Sequence, residues 1–296
     1  MVESTLTDRT AARPMLVGER LNAQGSRRTQ QRLLSGDYDA LVAIGREQLA
    51  QGARALDVCV ALDGRHDEDA TMSALVSRLA AAVDVPLFID SADPRVLVRA
   101  LPHAGSRGVA NSITLAHGSR DAALVTPTVR QYGARLVALC IDETGMAESA
   151  TRKLAVAKRI HRELVGGCGL DARALIIDVL TFPLATDRLE RRGAALETIA
   201  AVRLLREALP DVQTILGISD VSFGMPLSAR PILNAAFLHH CVEAGLDMAI
   251  VNPATLCPYH RLTKDQRDVA EDLIFNRRAD ALQRFTMMLS ERTREA

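Results

Sequence analysis

ILGISDVSFGMP, residues Ile215 to Pro226, runs from a continuous apolar segment into a loop bearing Ser219, Asp220 and Ser222 and closed by Gly224 and Pro226. A short apolar run that empties into turn residues reads as a strand covered on both faces. Seven further runs share its character: MLVGE from Met15, RALDVCV from Arg54, PLFID from Pro86, RGVANS from Arg107, ARLVALCID from Ala134, ALIIDVL from Ala174 and DMAIVN from Asp247. Helical periodicity fills the gaps between them. Leu189, Leu196, Ile199, Val202, Leu205 and Leu209 recur at helical spacing with Arg and Glu opposite,. Ser91 to Pro94 places a proline near a first helical turn, and Gly52, Gly133 and Gly245 fit left-handed helix ends,.

Eight strand–helix units in series predict a parallel α/β fold, a closed (β/α)8 TIM barrel with a C-terminal helical extension. Neither GxGxxG nor GxxxxGK[ST] follows the first strand, so the usual nucleotide signatures are absent,. The expected organisation is a disordered tail over 1–14, a barrel over 15–275 and a helical extension or linker over 276–296. Beyond the eighth strand, Val269, Leu273, Leu282, Phe285 and Leu289 supply the apolar positions of a helical stretch that reads as the barrel's final helix plus the extension.

Nearly half of the 296 residues are apolar, enough for one large core, and formal charge is zero, which indicates no basic face for nucleic acid,. Scarce aromatics and the absence of Trp argue against base-stacking platforms,. No apolar run reaches the ~18 residues of a membrane span, and the acidic start lacks a signal-peptide core, so the expectation is a cytoplasmic protein. Five scattered cysteines, Cys59, Cys140, Cys168, Cys241 and Cys257, form no CxxC pair and read as reduced thiols,.

Barrel enzymes hold their chemistry at the C-terminal ends of the strands. The strand ends carry Glu19 and Asn22, Asp57 and Cys59, Asp90 and Ser91, Asn111 and Ser112, Asp142 and Glu143, Asp178, Ser219 and Asp220, and Asn252. Any one of these is equally readable as a helix cap or turn former. Together they predict that every strand delivers a polar group to one rim, suited to a planar heterocycle with several N–H donors. A metal site is not expected: the seven histidines lie elsewhere, and His239 and His240 fall mid-helix in AAFLHHCVEAG.

At these residues the chain resembles the pterin-binding family, and within it the methyltetrahydrofolate-binding methyltransferases. These include the folate module of cobalamin-dependent methionine synthase and the stand-alone methyltetrahydrofolate:corrinoid protein methyltransferases. GERLNAQGSRR is similar to the family opening GERxNxxGS, and GARALDV to its second strand. FIDSADPRVLVRAL, VANSI, IIDVLTFP, GISDVSFGMP and AGLDMAIVNP follow in family order, so the likeness spans Leu16 to Asn252. It implies transfer of the N5-methyl of 5-methyltetrahydrofolate to or from the cobalt of a corrinoid (cobalamin) protein or domain. It implies that Asp90, Asn111 and Asp178 hold the pterin edge, with Gly217 and Ser219 beside it and Arg230 close by. Asn22, Asp57, Ser222, Phe223 and Ile250 are the remaining substrate-binding positions it names.

Two positions depart from the pattern. Cys59 stands where the family has Asn, and SDVSF replaces SNVSF, so Asp220 stands where an Asn bonds pterin N5. A tertiary amine leaves poorly unless N5 gains a proton or a strong hydrogen bond, so Asp220 is the expected catalytic residue. Neither a DxHxxG corrinoid motif nor zinc-thiolate cysteines occur, which implies a corrinoid partner on another chain or a severed domain. AEDLIFNRRADALQRF resembles the linker into such a module, and stand-alone relatives imply a homodimer. The alternatives are a dihydropteroate synthase-type pterin enzyme, whose NxTxDSF loop and closing Arg–x–His are not found here, and a non-catalytic folate-binding barrel.

Overall fold

The computed structural model describes residues 14–186 and 191–295. The expected tail, but for its last residue, lies outside the described residues, as do Leu189 and the side chain of Leu289. Eight parallel strands follow one another: β1 Met15–Asn22, β2 Ala55–Cys59, β3 Leu87–Asp90, β4 Gly108–Ser119, β5 Arg135–Asp142, β6 Leu175–Asp178, β7 Gln213–Gly217 and β8 Met248–Val251. Each pairs in parallel with its chain neighbours; β1 pairs with β8, and β4 pairs with β5. The sheet is therefore closed. A two-residue strand, Gly145–Met146, folds back antiparallel on the end of β5. All eight strands predicted from apolar runs are present, and the barrel is of the TIM type.

Helices separate the strands: α1 Arg27–Leu34 and α2 Tyr38–Ala50, α3 Glu68–Ala82, α4 Pro94–Ala104, α5 Arg120–Tyr132, α6 Ala150–His161, α7 Ala194–Ala208 and α8 Arg230–Ala244. Two more, α9 Lys264–Ile274 and α10 Ala281–Glu295, follow the last strand. Pro94 opens α4 behind an Asp93 cap, as expected, and Gly245 ends α8 at φ 104°, a conformation that favours glycine,. Leu196 departs from its expected place on the apolar face of α7 and is 41% exposed. Phe285 of α10 is fully buried, which ties that helix to the body.

Two apolar layers hold the barrel. The larger lies between strands and helices. The smaller fills the barrel interior with one side chain per strand: Val17, Ala55, Phe88, Val109, Val137, Ile176, Ile215 and Met248. This plug sets the floor of whatever lies above it.

Candidate active site

Side chains along a strand alternate between faces, so the residue two positions beyond each plug member also points inward, nearer the C-terminal mouth. That layer reads Glu19, Asp57, Asp90, Asn111, Leu139, Asp178, Gly217 and Ile250. The ring is acidic or amide-bearing on five of its eight strands, and at Gly217 of β7 it has no side chain. Strand β5 delivers Leu139 rather than Asp142, and β8 delivers Ile250 rather than Asn252, which corrects the expectation of a polar group from every strand. Asp142 is buried in an ion pair with Arg152 and accepts from the Thr144 hydroxyl at 2.7 Å, while Glu143 pairs with Arg159. Asn252 caps a short 3-10 turn by accepting from the Ala254 N–H at 3.2 Å. These three side chains brace loops.

One half of the mouth is a hydrogen-bonded cluster. Asn22 Nδ2 donates to Asp90 Oδ2 at 2.9 Å and to Asp57 Oδ2 at 3.2 Å, and Asn111 Nδ2 donates to Asp57 Oδ1 at 3.1 Å. Asp90 and Asn111 are register partners on β3 and β4. Asp57 is only 2% exposed and lies beneath the two amides as their shared acceptor. Asp57 thus fixes both amides by accepting from them, and the Asn22 carbonyl oxygen is itself taken by the Gln24 N–H at 2.9 Å, which leaves the Asn111 carbonyl and the Asp90 carboxylate as the acceptors of this half. Burial, then the Asp90 charge, raises the Asp57 pKa well above its ordinary value,. Burial also lifts Asp90 to about 6, and the Cys59 thiol, itself pushed up to about 12, donates to it. Cys59 thus serves as a neutral donor behind Asp90.

The other half is a run of acids around the ends of β1, β6 and β7. Glu19 accepts from the Ser219 hydroxyl at 3.0 Å. Burial raises Glu19 to about 7, with the Asp220 charge adding to the rise. Asp178 accepts from the Leu180 N–H at 2.7 Å and is also raised to about 7, first by burial and then by Asp220. Asp220 is exposed to the solvent that fills the mouth but walled by protein on most sides, and this partial desolvation raises it to about 6. Among the described residues no Lys or Arg forms an ion pair with Glu19, Asp57, Asp90, Asp178 or Asp220. Glu19 is the site residue that strand-end inspection left without a role. The two-residue period from Val17 is the signal that finds it.

Gly217 is the reason Asp220 can lie where it does. A Cβ there would stand 2.5 Å from Asp220 Oδ2 and 3.4 Å from its Cγ. The carboxyl therefore folds back over a bare backbone at the end of β7, from a 3-10 turn spanning Ile218–Ser222. Ser222 is fully buried and donates to the Ser219 carbonyl at 3.1 Å, which stabilises that turn from within. Phe223 is 65% exposed on the rim. Arg230 is half-buried and donates through Nε to the Met225 carbonyl at 3.2 Å, holding the loop that follows Asp220. Leu180, after β6, has φ 68°, a left-handed conformation that costs a leucine about 1–2 kcal/mol,.

This mouth offers acceptors in two groups facing each other across an apolar floor. Comparison with known proteins gives it a lineage: a family model described as pterin binding enzyme matches residues 18–252. The chain belongs to the pterin binding enzyme family. It is 41% identical over 269 residues to a methionine synthase of Mycobacterium tuberculosis (strain ATCC 25618 / H37Rv), covering 90% of this chain and 22% of that protein. To a methionine synthase of Mycobacterium leprae (strain TN) it is 40% identical over 295 residues, 95% of this chain and 24% of that one. The chain thus spans about a quarter or less of these relatives. Among solved structures it is similar to a Yersinia pestis dihydropteroate synthase with a pterine-sulfa conjugate, with a TM-score of 0.59 and 14% identity over 90% of this chain and 94% of that one. A Xanthomonas albilineans dihydropteroate synthase in complex with 7,8-dihydropteroate gives 0.54 and 18%, over 81% and 88%. At such identities the likeness shows the shared barrel alone. Among the described residues no helix is long and apolar enough to cross a membrane.

Proposed function

We propose that this barrel is a methyltetrahydrofolate-binding methyltransferase module. It would bind 5-methyltetrahydrofolate in the mouth and pass its N5-methyl to or from a corrinoid carried by a partner protein or by a further domain. The supporting observation is the two-sided ring of acceptors, Asp90 with Asn111 on one side and Asp178 on the other. A reduced pterin presents its amino group, N3–H and N8–H along its edge, and each donor needs a carboxylate or carbonyl acceptor in a site that excludes water. The Asn22–Asp57–Asn111 bonds keep that half of the ring fixed before ligand arrives, which lowers the ordering cost of binding.

The corrinoid would supply the nucleophilic electron pair. The residues of this chain bind, orient and manage a proton. As the N5–methyl bond breaks, its electron pair remains on N5, and Asp220, neutral below about pH 6 in the open mouth, donates a proton or hydrogen bond to that nitrogen,. Bound pterin displaces water from around Asp220 and raises its pKa further, which extends the acid form toward neutral pH. Similarity to methionine synthases over a quarter of their length supports a corrinoid-bearing neighbour, with residues 15–275 as the folate barrel and 276–296 as a helical extension packed on it through Phe285.

The test is calorimetry with 5-methyltetrahydrofolate, followed by methyl transfer to free cob(I)alamin read by absorbance. Binding with transfer supports the proposal. Binding without transfer leaves a folate-binding barrel, and release of diphosphate from a pterin diphosphate with p-aminobenzoate would identify a dihydropteroate synthase instead.

A further inference from the structure

Beneath the mouth, one charged side chain has no counter-ion among the described residues. Lys153, on α6, is 0% exposed, and among the described residues no carboxylate lies within ion-pair distance of it. Its Nζ donates to the Leu180 carbonyl at 2.9 Å and to the Thr198 hydroxyl at 2.6 Å, and that hydroxyl donates to the same carbonyl at 2.9 Å. The ammonium also lies 5.2 Å from the centre of the Phe182 ring, whose face attracts cations,. A buried lysine held only by neutral groups is expensive, and such expense recurs at functional sites.

What it holds is one residue of the turn after β6. Leu180 is in the left-handed region, its carbonyl is bound by Lys153 and Thr198, and its N–H is given to Asp178 Oδ1. We propose that Lys153 is a positioning residue for folate binding: through the Leu180 carbonyl it fixes the turn that aims Asp178, and through its charge it favours the ionised form of that carboxyl, which accepts from the ligand. This inference deepens the folate-binding reading and rests on it.

The electrostatic surroundings agree. Lys153 lowers the Asp178 pKa against the rise imposed by burial and by Asp220. Burial brings Lys153 itself down to about 8, so it remains mostly protonated at neutral pH. The other titratable groups facing the pair are the Cys140 thiol from β5, Glu197 from α7 and Cys241 from α8. Both thiols are held neutral by burial. Removing the lysine leaves Asp178 facing Asp220 with no cation to offset it. The Asp178 pKa then rises, and less of the acceptor form exists at neutral pH.

The experiment uses the full chain with 13C-labelled aspartate, the Asp178 carboxyl signal being assigned by its loss in Asp178→Asn. In Lys153→Met the Asp178 titration midpoint should move up by about one pH unit or more. The Kd for 5-methyltetrahydrofolate should weaken about tenfold at pH 6.5, with the gap narrowing by pH 8.5. Thr198→Val keeps the charge and loosens the clamp, so its titration should stay near the parent while Kd weakens about threefold at both pH values. A folded Lys153→Met whose Asp178 titration and Kd superimpose on the parent overturns the inference. If Lys153→Met does not fold, Lys153→Gln keeps a donor for the Leu180 carbonyl without the charge, and an unshifted titration there overturns it equally. If the parent binds no folate, the proposed function fails, while the titration of the unliganded chain still decides the role of Lys153.

Discussion

Replacing Asp220 by Asn restores the amide that the resembled methyltransferases carry and removes an acid with a pKa of about 6. If the neutral carboxyl supplies the N5 proton, the parent rate follows the protonated fraction. Above the inflection that fraction falls about tenfold for each pH unit, so transfer should fall roughly tenfold per unit along the alkaline limb. In Asp220→Asn the limb disappears, because an amide does not titrate there. The variant should therefore be slower than the parent at pH 6 and approach or overtake it near pH 8. Single-turnover methyl transfer to cob(I)alamin at saturating 5-methyltetrahydrofolate, measured from pH 5.5 to 8.5, separates this from binding. Occupation of the mouth removes solvent from the carboxyl, which moves the parent inflection upward from 6,. An inflection of the same size and position in Asp220→Asn would refute the proton-donor role.

Gly217→Ala places a Cβ 2.5 Å from Asp220 Oδ2. The exposed carboxyl can swing aside, so thermal stability should change by less than about 1 kcal/mol while transfer drops about tenfold or more, as read by calorimetric melting beside the rate assay. Asp178→Ala removes charge-assisted acceptors worth about 1.5–3 kcal/mol, so the Kd for 5-methyltetrahydrofolate should weaken about 10–100-fold in titration calorimetry. Glu19 rises from 4.5 to about 7 on folding, so its contribution is present below pH 4.5 and is lost as pH climbs through 7,. Glu19→Gln should consequently be more stable than the parent at pH 8, by about 1–2 kcal/mol once solvent in the mouth is allowed for, with the gap closing at pH 4.5 in urea titrations.

The barrel was legible because its information is local. Apolar runs bounded by turns, helical spacing between them and a proline at Pro94 all act within a few residues, and all eight strands emerged where those signals stood. Asp90, Asn111 and Asp178 were legible too, as polar residues ending buried strands. The facing of each strand end was not, because Asp142 and Asn252 sit at strand ends by sequence while the alternation seeded by the interior plug selects Leu139 and Ile250 instead. Glu19 becomes part of the mouth only when Val17 is known to point inward.

Chain order and apolar patterning fix which residues can reach the mouth, since period and turn chemistry are properties of neighbours along the chain. Which groups share a proton, a carbonyl or a field is set across elements far apart in number: Glu19 with Ser219, Asn22 with Asp90, Lys153 with Leu180 and Thr198. Burial and charge act through space, so the raised carboxylates and the buried Lys153 clamp exist only once the barrel has closed.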